Sequence, residues 1–275
     1  MRAYYSPVLW VFSHGPGALP GAAHLTLLPM KILVCITQVP DTTSRITFTD
    51  NDTQLNKAGL TYITGPYDDY ALARAVELKE ANPGTTVTVL NVGEADTEPT
   101  IRKCLAIGAD DAIRVNANPT DAWFVATQIA DVARQNAYDL ILMGRESIDY
   151  NGGQVHGMVG ELLGIPSLSP VMKLDVAGNV VTASREIEGG KEHLQATLPL
   201  VCGCQEPIAE WKIPNMRGIM SARTKPLLVV QPVAAEVATV VQHYALPAPK
   251  GTCRMIAADD AESLIGLLRT EAKVL

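Results

Sequence analysis

The chain has 275 residues, room for one large α/β domain or a domain with an appendage but not for a string of domains. With 47% hydrophobic and 19% charged residues it can bury a substantial core, which excludes wholesale disorder. The 22 Lys and Arg against 29 Asp and Glu leave a formal charge of −7, which argues against nonspecific nucleic-acid or anionic-membrane binding, so any anion must be held locally.

Aromatic residues are only 5%, and the apolar mass is the Ala, Val, Leu and Ile mixture of parallel strands with covering helices. No run reaches the roughly 18 apolar residues of a membrane span. The five cysteines, Cys35, Cys104, Cys202, Cys204 and Cys253, lack the spacing of a disulfide framework or zinc site, which fits a reducing compartment. The close pair Cys202 and Cys204 has no second pair and no His partner, so it is assigned no role and no metal is expected.

In chain order, residues 1–29 are Gly- and Pro-rich with one Arg and no acid, and are expected to be an unstructured leader or an over-extended start before Met30. Residues 31–39 (KILVCITQV) read as one apolar strand. Residues 67–81 have helical spacing, with Pro66 suited to the first turn, and 85–91 form the next strand, giving a βαβ unit. A short helix over 98–107, a strand over 112–115, a helix over 121–135 opened by Asp121 and a buried strand over 139–143 follow. The predicted fold is α/β, a doubly wound and mostly parallel sheet whose ligands sit outside the carboxyl ends of the strands.

Beyond Gly157 the pattern changes. Residues 171–175, 180–186 and 193–196 read as antiparallel strands turned at Gly178-Asn179 and Gly189-Gly190, a hairpin edge. Residues 207–223 form a surface segment without clean periodicity, 225–232 a last strand, and 257–275 an amphipathic helix capped by Asp259 or Asp260 in an extended C-terminal partner-binding arm. The expected division is a leader over 1–29, a nucleotide-binding α/β domain over 30–224 that includes the loop 207–224, and a partner-contacting tail over 225–275.

The densest chemistry lies between Gly144 and Gln154, after a buried strand and before a helix. Gly152 and Gly153 let backbone N–H groups approach a phosphate at the helix start, and Asp149 can orient the loop or accept from a ribose; ordinary turn glycines are the plain alternative. Neither GxGxxG nor GxxxxGK[ST] is present, which disfavours a hydride-transfer Rossmann enzyme and a P-loop ATPase. Gln38 to Thr42 and Ile63 to Asp68 occupy two further candidate strand ends. His156, His193 and His243 are scattered, no Ser/His/Asp constellation assembles, and binding without covalent catalysis is expected.

Six stretches then carry a family resemblance: KILVCITQVPDT, GPYDDYALARAVELKE, TIRKCLAIGADDAIRV, DLILMGRESIDYNGGQVHGMVGELLGIP, SREIEGG and IPNMRGIMSARTKP. Together, in order and spacing, they resemble the β subunit of electron transfer flavoprotein over residues 30–275. The resemblance implies a carrier subunit, not an enzyme, in a heterodimer whose α subunit holds most of an FAD. It also implies electrons passing from acyl-CoA and related dehydrogenases of fatty acid β-oxidation to a membrane quinone oxidoreductase.

The resemblance further implies a structural AMP in the β subunit. Its motifs fall on Cys35, Gly65, Pro66, Tyr67, Asp68, Val92, Gly144, Arg145, Asp149, Asn151, Gly152, Gly153 and Gln154. The family usually has Asn where this chain has Gly65, so that amide's bond to the nucleotide is unavailable. Val39, Pro40, Asp41 and Thr42 match the flavin-edge segment and would contact flavin by packing. Ile213 occupies the place of an apolar anchor inserted into a dehydrogenase pocket, with Met216 and Met220 beside it; burial of all three against Trp211 is the alternative. Arg185 is either a subunit-interface residue or a solvated hairpin Arg. A bacterial cytoplasm is expected, or a mitochondrial matrix in a eukaryote. A bifurcating subunit with a second FAD in the AMP site and a single-chain adenine-nucleotide-binding protein are the competing readings.

Overall fold

The computed structural model describes residues 29–275; the expected leader lies outside them. A nine-stranded sheet organises the larger of two compact units, which comprises 59–240 and the segment ending at Ser44. In chain order the strands are β1 (Lys31–Cys35), β2 (Gln38–Pro40), β3 (Phe48–Thr49), β4 (Gln54–Leu55), β5 (Tyr62–Thr64), β6 (Thr86–Val92) and β7 (Asp111–Val115). They continue with β8 (Leu140–Gly144), β9 (Ser167–Ala177), β10 (Val180–Ile187), β11 (Gly190–Thr197), β12 (Leu200–Cys204) and β13 (Leu227–Val230). The helices are α1 (Pro66–Ala81), α2 (Glu98–Ile107), α3 (Ala122–Asn136), α4 (Val155–Leu163), α5 (Met216–Ala222) and α6 (Ala261–Leu267).

The sheet order is β11-β10-β9-β12-β8-β1-β6-β7-β13. All pairs from β9 through β13 are parallel, and only β9–β10 and β10–β11 run antiparallel, which makes the hairpin edge. The alternation of β1 sorts the core. Ile32 and Val34 pack with Leu72, Val76, Ile101 and Leu105 of α1 and α2, while Leu33 and Cys35 pack with Ile129, Val132 and Val159 of α3 and α4. Central strands therefore bury both faces, as their apolar runs require. Asp121 caps α3 as expected, accepting from the Phe124 N–H at 2.7 Å.

Three expectations need correction. Residues 31–39 are not one strand: β1 stops at Cys35 because Thr37 donates both its N–H and its hydroxyl to Asp68, and the chain re-pairs as β2 against β5 in a separate two-stranded sheet. Leu200–Cys204, left without an element, is β12, buried throughout and lodged between β8 and β9. Its LVCGC run is short and carries a glycine, which hides a central strand from periodicity. The segment 207–223 contains α5, capped by Asn215, whose side chain accepts from the Gly218 N–H at 2.8 Å.

The second unit comprises Arg45–Ala58 and Val241–Leu275. Phe48 stacks on Tyr244 with ring centroids 5.0 Å apart, and Tyr244 N–H donates to the Asp52 carbonyl. Asp260 caps α6 by accepting from the Ser263 N–H, and a π-helical turn over Leu268–Ala272 follows. No residue of α6 is buried.

Candidate functional site

The carboxyl ends of β1, β6 and β8 lie side by side. Register places Cys35 opposite Leu90 and Met143, with Gly144 one residue and Val92 two residues further toward the same end of the sheet. Cys35 and Val92 are buried, and burial pushes the Cys35 thiol far above its ordinary range, which leaves it inert as a nucleophile. The thiols of Cys104 and Cys202 are likewise pushed up to about 12. Among the described residues no cluster of three His, Cys, Asp or Glu side chains is placed to hold a metal.

Asp68 joins these strand ends. It sits in the first turn of α1, whose N1 position is Pro66, and is fully buried. Its Oδ2 accepts from Thr37 N–H at 2.8 Å and Thr37 hydroxyl at 2.6 Å, and its Oδ1 accepts from Gly144 N–H at 2.7 Å. Burial raises its pKa to about 6, against the opposing pull of those hydrogen bonds. Expected as a nucleotide contact, Asp68 has both oxygens occupied by the protein itself.

Two glycines follow from that carboxylate. A Cβ at Gly65 would collide with Thr37 Oγ1 and Asp68 Oδ2, and one at Gly144 would come within 2.7 Å of both Asp68 Oδ1 and the Tyr67 Cβ. Gly65, where the resembled family has Asn, is thus dictated by the Thr37–Asp68 pair. Thr37 went unremarked in the sequence; its only signal is its place immediately past a buried strand.

Beyond Gly144 the chain loops out and returns as α4. The Arg145 guanidinium lies 4.8 Å over the Tyr67 ring and donates to Gln205 Oε1 at 3.0 Å and Glu146 Oε1 at 2.9 Å, while its Nε is buried without a partner. Gln205 in turn donates to Glu186. The Ser147 hydroxyl bonds the Asp149 carboxylate, and Ser147 bridges to Gly152, closing the loop. Asn151 takes the left-handed conformation at φ 47°. Gly153 leaves only the Arg145 carbonyl near its missing Cβ, and Gly152 has open space but for Tyr150.

Gln154 begins α4 without a side-chain cap, so the first N–H groups of the helix carry their partial positive charge uncapped at this loop. His156, half-buried behind the loop, approaches Ser167 and bonds the Gly153 backbone, and burial pulls its imidazole below its ordinary value. An uncapped helix start, two accessible glycines and an orphaned guanidinium N–H make a set of donors suited to a phosphate. The structure thereby brings Cys35, Val92, Gly65 to Asp68 and Gly144 to Gln154 to one end of the sheet. Val39 to Thr42 lie on and just after β2: Val39 is buried, Thr42 exposed, and Asp41 accepts from both the N–H and hydroxyl of Thr43.

The anchor candidates are elsewhere and exposed. Ile213 and Met216 are each 74% exposed and Met220 60%, so they are not buried against Trp211, itself 55% exposed. Their mount is firm. Arg102 of α2 donates to the carbonyls of Ala222 and Lys225, Lys225 donates to those of Leu105 and Ala109, and Gly218 lies so close to the Ala106 carbonyl that no Cβ fits. Arg185 pairs with Glu192 at 2.5 Å across the β10–β11 hairpin and reaches the Ser169 carbonyl.

Residues 53–235 match the electron transfer flavoprotein domain family. The chain is 32% identical over 260 residues to the electron transfer flavoprotein subunit beta of Bacillus subtilis, covering 90% of this chain and 100% of that one. It is 32% identical over 222 residues to the subunit of the same name from Syntrophomonas wolfei, covering 80% and 87%. It is also 30% identical over 204 residues to the caffeyl-CoA reductase-Etf complex subunit CarD of Acetobacterium woodii, covering 73% and 78%.

Proposed function

The chain belongs to the electron transfer flavoprotein family, and we propose that it works as the β subunit of a heterodimer carrying electrons from acyl-CoA and related dehydrogenases to a membrane quinone oxidoreductase. The observation that carries the reading is the apolar trio Ile213, Met216 and Met220, held in solvent on and just before a short helix braced to α2. Exposed apolar side chains on a rigid mount are what a transient docking contact needs, since little ordering entropy is lost on binding.

The donor set at the start of α4 fits AMP. Its phosphate would be held by N–H groups from Asn151 to Gln154 with Arg145 nearby, and its adenine would lie against the backbone at Cys35 and Val92. AMP supplies no redox chemistry; it would fill and brace this end of the sheet. FAD, held mostly by the α subunit, supplies the electron-accepting chemistry when bound. This chain would offer Val39 to Thr42 as a packing surface and Ile213, Met216 and Met220 as the donor contact.

The test is to co-express the chain with its α-like partner and follow flavin absorbance while adding an acyl-CoA and its dehydrogenase. Bleaching at catalytic dehydrogenase levels is expected. A flavin-loaded heterodimer that dithionite reduces but no acyl-CoA dehydrogenase does would overturn the assignment of donor.

A further inference from the structure

Arg114 is an anomaly of the larger unit. It lies near the carboxyl end of β7, is 7% exposed, and makes no ion pair among the described residues. A buried guanidinium without a carboxylate carries a desolvation cost that an apolar side chain of similar volume would not. What it does hold is backbone: Nη1 donates to the Gly93 carbonyl at 2.9 Å and to Asn116 Oδ1 at 2.8 Å. Gly93 directly follows Val92, the last residue of β6, and donates its own N–H to the Val115 carbonyl.

The residue facing Arg114 across the β6–β7 ladder is Asn91, 3% exposed. Its Nδ2 donates to the Ile36 carbonyl just past β1. Its Oδ1 and the Arg114 Nε are both buried and both unpartnered, so one stranded acceptor and one stranded donor stand on neighbouring strands of the same sheet face.

We propose that Arg114 is a positioning residue of the nucleotide site, holding the Val92–Gly93 strand end by its carbonyl, and that a buried water links its Nε to Asn91 Oδ1. The network Ile36–Asn91–water–Arg114–Gly93 then fixes the ends of β1 and β6 against each other behind the adenine surface. This rests on the AMP reading above, and the experiment separates the two.

Wild-type, Arg114→Met and Arg114→Lys heterodimers are stripped of nucleotide and titrated with AMP, and amide hydrogen exchange is measured over 91–97. Arg114→Met is expected to weaken AMP by up to about tenfold, because an unanchored Val92–Gly93 end must be ordered when the nucleotide binds, and to speed exchange in that segment. Arg114→Lys, whose ammonium can still donate to Gly93, is expected to recover part of both. Unchanged AMP affinity alongside a lowered melting temperature would overturn the proposal and leave Arg114 a structural residue only. If the wild type itself binds no AMP, the nucleotide reading fails and exchange decides alone: faster exchange in Arg114→Met supports the network, unchanged exchange overturns it. A high-resolution crystal structure without density between Arg114 Nε and Asn91 Oδ1 would remove the water.

Discussion

The buried carboxylate of Asp68 accepts the Gly144 N–H at 2.7 Å, tying the first turn of α1 to the last residue of β8 across 76 positions of sequence. The other oxygen holds Thr37, so the ends of two adjacent parallel strands converge on one side chain. This clamp shapes the floor of the candidate nucleotide site, and it has consequences for pH, for sequence and for binding.

Burial raises the pKa of Asp68 to about 6, so between about pH 4 and pH 6 the native state binds more protons than the unfolded chain. Stability of unfolding should therefore fall as pH rises through that window and stay level above it, with a ceiling of about 3 kcal/mol for a shift of this size. Asp68→Asn should lack this component. Denaturant unfolding of both proteins across pH 4 to 8 checks it; parallel pH curves would show that Asp68 does not titrate there.

Gly65 is the residue the clamp dictates. Gly65→Asn should destabilise by about 1–3 kcal/mol through overpacking against Thr37 and Asp68. Part of that loss should return in a Thr37→Ala background, where one of the colliding atoms is gone. A double-mutant cycle measures the coupling, and strict additivity would contradict the collision.

Ile213→Ala should leave stability within about 0.5 kcal/mol of wild type, because the side chain is 74% exposed. It should raise the KM for the reducing dehydrogenase about tenfold, as expected on truncating an apolar anchor at an interface. Steady-state flavin reduction reads this directly; unchanged kinetics would take Ile213 out of the contact.

Gly218→Ala tests the mount rather than the anchor. The added Cβ must displace α5 from the Ala106 carbonyl, so donor kinetics should suffer while AMP and FAD content stay at wild-type levels. Equal loss of nucleotide would show that the two regions are not separable.

The sequence made the alternating parallel framework legible because strands buried on both faces leave continuous apolar runs, and helix starts such as Pro66 and Asp121 carry their own signals. It hid β12, whose five residues include Gly203 and two small thiols, and α5, whose seven residues are mostly solvated. The placement of Gly152 and Gly153 just ahead of a helix was legible, and α4 begins two residues after them. The grip of Asp68 on Thr37 and Gly144 was not, since a carboxylate that holds its own backbone looks in sequence like one offered to a ligand. Arg114 was invisible for the same reason: its meaning lies in what it faces across the ladder, and register appears only when the strands are paired.

The central claim is that this chain is the β subunit of a flavoprotein heterodimer with AMP at the start of α4. The measurement that tests it most directly is the nucleotide content of the complex co-purified with its α-like partner, released by denaturation and quantified by chromatography. One FAD and one AMP per heterodimer is the predicted result. Two FAD and no AMP would contradict it in favour of a bifurcating subunit, and a chain that purifies alone with ATP or with no nucleotide would contradict the partnership itself.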